Sequence, residues 1–469
     1  MNNLFRWIRA KIWVGVWMGL WMGLPLAAQA DQPLTLEQAL ALAWDDNPAL
    51  EEARGRIAQA RAARDEARAA FWPRLDAGLE YLRGDAPSAY LFKTIDARQL
   101  PENVDFNHPG RFENFESYLE ARLNVYAGGR DRLRFSQAET RFEQARHAYQ
   151  TEHNDLSAAV VDTYLAMLSA RDRGDIARQS VAVLEREVDL AEVRLRGGSL
   201  LRSELLSLQV RLAEARADRV RAAAASQRLQ AALAILLGRD AATAFEPRDE
   251  EPDFPLPEDY SQALRRALEQ RPELAAAAGA RELARLEERL ARAEYLPRLD
   301  VQARLYHDDP DFAYNDDQLN WTFGARLSWN LFSGFTTRAR EAHALGQTQE
   351  SRAAQRRMRQ AVEFEVRQAW LDLEEHRANL DLAEAALAHA EEAFTQVRVQ
   401  FDGGAVEVTR YLDAELAWAR ARVNASAARR DHQRAQAELA RAMGDWRPLS
   451  GAEATAGPAT ERFNHGQDP

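Results

Sequence analysis

Apolar and polar positions alternate along four short stretches of the chain and recur every seven residues along two long ones. From Asn320 to Leu331 the alternation is nearly unbroken: Trp321, Phe323, Ala325, Leu327, Trp329 and Leu331 oppose Asn320, Thr322, Gly324, Arg326, Ser328 and Asn330. A period of two is that of a strand with unlike faces. Leu299, Val301, Ala303 and Leu305 likewise oppose Asp300, Gln302, Arg304 and Tyr306, and Leu75, Ala77, Leu79 and Tyr81 oppose Asp76, Gly78 and Glu80. Phe115, Leu119, Ala121, Leu123 and Val125 oppose Glu116, Glu120, Arg122 and Asn124. The pattern predicts strands over about 72–82, 115–126, 296–306 and 320–332.

The longer period belongs to helices. Thr336 to Phe401 holds no proline, and Val366, Leu373, Leu380, Leu387, Phe394 and Phe401 fall at intervals of seven, with Val362, Ala369, Ala383, Ala390 and Val397 at the other seam position. Val160, Met167, Val181, Val188 and Leu195 mark a similar seam, interrupted at Gly174. The spacing predicts long helices over about 130–195 and 335–401, each about 100 Å long at about 1.5 Å per residue. Shorter helices follow over 200–237 and 406–443, and others precede the strands at Ala49–Ala70 and Glu273–Glu294. A short helix and its later partner sum to about 90 Å, so such pairs are expected to stack end to end beside a long helix.

The elements read as one unit written twice. Phe71-Trp72-Pro73-Arg74-Leu75-Asp76 returns as Tyr295-Leu296-Pro297-Arg298-Leu299-Asp300, Asn124-Val125-Tyr126-Ala127-Gly128 as Asn330-Leu331-Phe332-Ser333-Gly334, and Gly197-Gly198 as Gly403-Gly404. The first pair is offset by 224 positions and the others by 206, so the first copy carries 18 extra residues, within Arg83 to Glu113. That stretch, with Pro87, Pro101 and Pro109, reads as a long ordered surface loop. The expected organisation is a segment 1–30, a first repeat 31–240, a Pro-rich linker 241–259, a second repeat 260–446 and a disordered tail 447–469. Leu34 to Trp44, the linker and Tyr260 to Glu269 would form a belt around the middle.

Each strand has the length that crosses a bilayer when tilted, and Phe71, Trp72, Tyr126, Trp329 and Phe332 gather at strand ends as interfacial aromatics do. A half-buried soluble sheet also alternates. Against that alternative, the polar face carries Asp76, Glu80, Glu120, Arg122, Asp300, Arg304 and Arg326, a composition suited to a wet lumen. Four strands cannot close a barrel, which needs about eight, and an open edge in lipid leaves backbone groups unpaired. Several copies must share one barrel; two, three or four would all close it.

Composition narrows the classes further. Arg6, Arg9 and Lys11 precede the apolar run Ile12 to Leu26, which ends at Ala28-Gln29-Ala30, so residues 1–30 read as a cleaved secretory signal. Loss of three cations takes the formal charge from −12 to −15, and nucleic acid is not an expected partner. The chain has no cysteine, which excludes disulfides, thiolate metal sites and a thiol nucleophile. His147, His153, His376 and His432 lack a metal-ligand spacing, no phosphate loop or nucleophile elbow occurs, and the carboxylates lie among arginines at helical spacing. No enzyme activity, metal or cofactor is expected.

Leu36-Glu37-Gln38-Ala39-Leu40 followed by Asn47-Pro48, the paired Pro-Arg-Leu-Asp segments, the Asn-x-aromatic-x-Gly segments and the Gly-Gly turns together resemble the TolC-type outer-membrane efflux proteins. The resemblance implies a homotrimer sharing a twelve-stranded β-barrel in outer-membrane lipid, continuous with a coiled-coil α-helical tunnel through the periplasm. It implies partners, a periplasmic adaptor and an inner-membrane pump, and a role as exit duct for efflux or secretion. A closed tip would be built from Arg196–Ser207 and Asp402–Ala414, around the turns Gly197, Gly198, Gly403 and Gly404. The family's gate carries two aspartates three positions apart; here Asp413 is present and Arg410 replaces the other. Arg410 beside Asp413 or Glu407 would form ion pairs that hold the tip shut, with Arg202 and Glu204 on the other hairpin; the alternative is that these are solvated helix-end charges. Leu200, Leu201, Val406 and Val408 read either as an adaptor-docking patch or as hairpin packing. A periplasm-spanning tether without a lumen is the competing architecture, and the cargo, small molecule or polypeptide, stays open.

Overall fold

The computed structural model describes residues 34–250, 252, 254, 256–311 and 318–444. The expected signal segment 1–30 and the tail 447–469 lie outside the described residues. In chain order the elements are α1 (Leu36–Asp46), α2 (Pro48–Ala69), β1 (Arg74–Gly84), α3 (Pro87–Asp96), β2 (Phe112–Tyr126), α4 (Arg130–Arg196), α5 (Arg202–Leu236), α6 (Tyr260–Gln270), α7 (Pro272–Ala293), β3 (Arg298–Asp309), β4 (Leu319–Ser328), α8 (Thr336–Asp402) and α9 (Val408–Met443). The four strands form one antiparallel sheet in the order β1-β2-β3-β4, so one edge of β1 and one of β4 have no partner strand among the described residues. No described helix is long and apolar enough to cross a membrane.

The sheet sits at one end of the molecule and the helices run away from it. α4 and α8, at 67 residues each, span about 100 Å. α8 buries Val362, Val366, Ala369, Phe394 and Phe401, which are seam positions, while Phe364, Leu382 and Val399 off the seam stay exposed. Proline at the first helical position starts α2 and α7, where its missing N–H costs nothing.

Shorter helices meet head to tail at two elbows. Asn47, between α1 and α2, caps α2 by accepting from Ala49 N–H and donates its Nδ2 to Leu236 O, the last carbonyl of α5, at 2.8 Å. Arg271, between α6 and α7, plays the corresponding part by donating to Ala442 O at the end of α9. Helix ends leave carbonyls without intrahelical partners, so an elbow side chain that satisfies one joins two helices into a column. Around the first elbow Leu40, Leu50, Val160, Leu165, Leu168, Leu233 and Leu237 form a buried core, and the single Tyr164 O–H is shared between Leu34 O and Arg248 O of the belt, each 2.7 Å from the phenol oxygen.

The stretch between β1 and β2 departs from expectation. It is not loop throughout: Pro87–Asp96 is a helix, because Pro87 starts it and the helix-competent run Tyr90-Leu91-Phe92-Lys93 carries it on. β1 and β2 also reach a few residues beyond the expected bounds, to Gly84 and from Phe112.

Arg271 is buried and donates to Glu365 at 2.8 Å and to Glu273 at 2.9 Å; Arg441 pairs with the same Glu365 and with Glu438. Burial works to raise the Glu365 carboxyl, but Arg271 and Arg441 outweigh it and hold the group below its usual 4.5. A carboxyl depressed in the folded state stabilises above its unfolded value, and that stability is lost as pH falls through the folded one. Glu365→Gln is therefore expected to cost about 1–2 kcal/mol at pH 7. Thermal melts followed by circular dichroism should show the deficit shrink as the pH is taken well below 4.5.

Candidate functional site

Two regions bring the candidate residues together, the polar face of the sheet and the hairpin tip at the opposite end. Register decides the first. Asp76 pairs with Glu120, Glu120 with Arg304 and Arg304 with Thr322, so these side chains share one row and one face. Asn124, Asp300 and Arg326 form another row, Arg74, Arg122 and Gln302 another, and Glu80, Glu116 and Asp308 a fourth. All seven strand residues expected on the wet side thus lie on one face. The opposite face shows Leu75, Leu79, Trp321 (76% exposed), Phe323 (67%) and Leu327 to the surroundings, a continuous apolar band.

Charges on the polar face are largely paired. Arg74 contacts Asp76 at 2.9 Å, Arg298 contacts Asp300 at 2.7 Å, and Arg122 pairs with Glu120. Arg304 pairs with Glu116, and its guanidinium lies 4.3 Å from the centre of the Tyr118 ring. The Tyr118 ring lies over Gly78, its cross-strand partner; a Cβ at Gly78 would stand 2.5 Å from the ring, so any larger residue there would push the ring aside. Glu116 and Asp308, both buried, receive Lys93 of α3, with Lys93 Nζ 2.9 Å from Asp308. Glu116 has the same parity as Glu120 and was legible from alternation; Lys93 and Asp308 were not assigned from sequence.

At the tip, α4 runs into α5 and α8 into α9 through matching turns. Gly198 and Gly404 have φ of +76° and +72°, and the next N–H of each turn bonds back five residues, Ser199 to Arg194 O and Ala405 to Gln400 O. Gly197 and Gly403 have φ of −78° and −77°, so only the second glycine of each pair needs the left-handed region.

The tip charges separate into different environments. The Glu204 carboxylate accepts from Leu201 N–H at 2.9 Å and so caps α5. Glu407 precedes α9 without a side-chain cap, and Arg202, Glu407, Arg410 and Asp413 are exposed. Among the described residues Arg410 makes no ion pair with Asp413 or Glu407 within the chain. The apolar quartet also divides. Val408 is 2% exposed and belongs to the tip core, against which Leu200 and Val406 pack; Leu201, at 67%, alone projects outward. Hairpin packing, one of the two alternatives for the quartet, covers Val408.

The two hairpins share one core, in which spacing disclosed the seam residues Val181, Val188, Phe394 and Phe401 but not Tyr411, Trp418 or the Arg211–Glu415 pair. Phe401 stacks on Tyr411 at 4.7 Å and Phe394 on Trp418 at 4.9 Å. Arg211 of α5 reaches Glu415 of α9 at 3.1 Å, and Glu415 is wholly buried. Burial, then the nearby Asp402 carboxylate, raises the Glu187 carboxyl, and burial raises the Tyr411 phenol. Among the described residues no cluster of three or more His, Cys, Asp or Glu side chains could hold a metal ion.

The outer membrane efflux protein family matches the chain over residues 39–239 and 263–445. Protein CyaE of Bordetella pertussis is 27% identical over 291 residues, 61% of this chain and 61% of that protein. The alkaline protease secretion protein AprF of Pseudomonas aeruginosa is 27% identical over 318 residues, 66% of this chain and 63% of that protein. The match to this chain thus spans somewhat less than two thirds of the length of either relative. A solved structure of a membrane protein from Pseudomonas aeruginosa aligns with a TM-score of 0.76 at 22% identity, covering 89% of this chain and 98% of that one, which shows a shared fold.

Removing Arg211 strands a buried carboxylate, and breaking a buried pair costs about 3–5 kcal/mol when one partner stays behind. Arg211→Ala is expected to accelerate amide exchange in Tyr411 to Trp418 at least about a hundredfold, because about 1.4 kcal/mol is tenfold. Arg211→Met with Glu415→Met should restore most of the protection; exchange unchanged in the single variant would deny the pair its structural role.

Proposed function

We propose, for a chain that belongs to the outer membrane efflux protein family, that three copies share one twelve-stranded barrel and form the exit duct of an export system. The protein is an outer-membrane protein that extends into the periplasm. The observation that carries the proposal is the sheet itself: an exposed apolar band on one face, paired charges on the other and two edges without partners. Lipid accepts the first, water the second, and neighbouring copies the third. A solid tether has no need of a charged inner face. The two segments matched by the family, together with the equal lengths of α4 and α8, support a duplicated unit in each copy.

Off-seam apolar residues along the helices, Val210, Val220, Phe364 and Leu382 among them, are exposed in the single chain and suit contact between copies in a tunnel wall. A periplasmic adaptor and an inner-membrane pump are the proposed partners at the tip, with exposed Leu201 available to the adaptor. Arg410 and Asp413 point away from the core of their own chain, so any gating pair they form joins neighbouring copies. The relative named for alkaline protease secretion supports a polypeptide cargo as well as the small solutes that the family name suggests.

Purified protein should run as a trimer on native gels and conduct weakly in planar bilayers. Arg410→Ala with Asp413→Ala should raise the conductance at least about twofold if those charges narrow the pore. Unchanged conductance would remove them from the gate, and a detergent-solubilised monomer without a sheet signal would end the barrel reading.

A further inference from the structure

The helix α3 is built inside out. It lies on the polar face of the sheet, at the strand ends far from the long helices. Lys93 reaches Glu116 and Asp308, Tyr306 donates to Asp96 at 3.2 Å, Asn320 donates to Asp96 O at 3.0 Å and Gln318 donates to Ala97 O at 3.1 Å. Its polar side faces the wall. Phe92 (65% exposed) and Ile95 (43%) stand on the other side, facing what should be water. The helix is also held under strain: Gln99 N–H closes its C-terminal turn on Thr94 O, which places Arg98 at a φ of 60°, where glycine is usual. Such strain persists where the surroundings over-determine it.

Barrel geometry says what meets Phe92 and Ile95. Twelve strands about 4.8 Å apart, tilted by about 40°, close at a radius of about 12 Å. A helix about 10 Å across lying against the inner wall reaches the axis. Resting on the shared-barrel reading above, we propose that α3 is a plug for the outer mouth: the Phe92 and Ile95 sides of three copies meet on the axis as an apolar constriction, and the Lys93 contact with Glu116 and Asp308 anchors each plug to the wall. The α3 end lies outward because the connections β1–β2 and β3–β4 are opposite the helices that enter the periplasm. An apolar ring of this kind obstructs water and solutes without a charge.

The chain has no cysteine, so single cysteines report without interference. Ile95→Cys in the full chain, expressed in the outer membrane, should give disulfide-linked dimers on non-reducing gels, two of the three copies pairing at the axis. Gly324→Cys faces the lumen with open space around it, four residues and about 13 Å deeper than Asn320. Added to intact cells, a bulky polyethylene-glycol maleimide should label it slowly. The labelling rate should rise about tenfold when Phe92→Ser and Ile95→Ser are added, a loss of about 1.4 kcal/mol from the barrier. Both substitutions fall on exposed positions, and native gels report assembly separately. Trimers that show neither the cross-link nor the faster labelling would overturn the plug while leaving the shared barrel intact; absence of trimers would overturn both.

Discussion

A backbone amide or carbonyl in hydrocarbon has no water to turn to, and one left unpaired costs several kcal/mol. β1 and β4 each carry a row of such groups along an edge that no described strand of the chain covers. From that constraint the remaining architecture follows. The sheet cannot occupy a membrane alone; in the proposed barrel further copies supply the missing partners, and sharing it would set how close the helices below stand to one another. The off-seam apolar residues on α8, exposed in one chain, would be covered in that proposed assembly.

Below the sheet the problem changes from backbone pairing to side-chain packing over great length. α4 and α8 are too long to be stabilised by one core, and the buried residues divide accordingly into clusters at the middle and at the tip. Polar joints lie beside the clusters. Asn47 and Arg271 fasten helix ends at the elbows, and Arg211 with Glu415 fastens one hairpin to the other. An apolar contact would hold those elements with less directional preference; a buried charge pair punishes misalignment, since either partner alone is costly to bury.

Inside the barrel face, charge pairing and close backbone approach act together. Tyr118 over Gly78 lets the Arg304 guanidinium lie on an aromatic ring while it meets Glu116, and Glu116 in turn receives Lys93. The result is a sheet face whose charges are mostly paired with one another and whose end far from the long helices carries α3 with Phe92 and Ile95 exposed.

Much of this was written locally. Period-two alternation placed Asp76, Glu120, Arg304 and Arg326 on one face, because strand geometry alone decides which side a residue takes once its neighbours are known. Period-seven spacing found the seam of α8, and paired glycines found both tip turns. Only the structure decided the rest, because it depends on residues far apart in the chain. Arg211 and Glu415 are 204 positions apart, and Lys93 meets Asp308 across 215, so no local pattern joins them. The helix within 83–113 was hidden by its prolines, one of which starts it, and Val408 stood open between docking and hairpin packing until the packing of α8 against α9 covered it. Periodicity reports which way a side chain points along its own element; what it meets there is decided by the fold that brings another element to it.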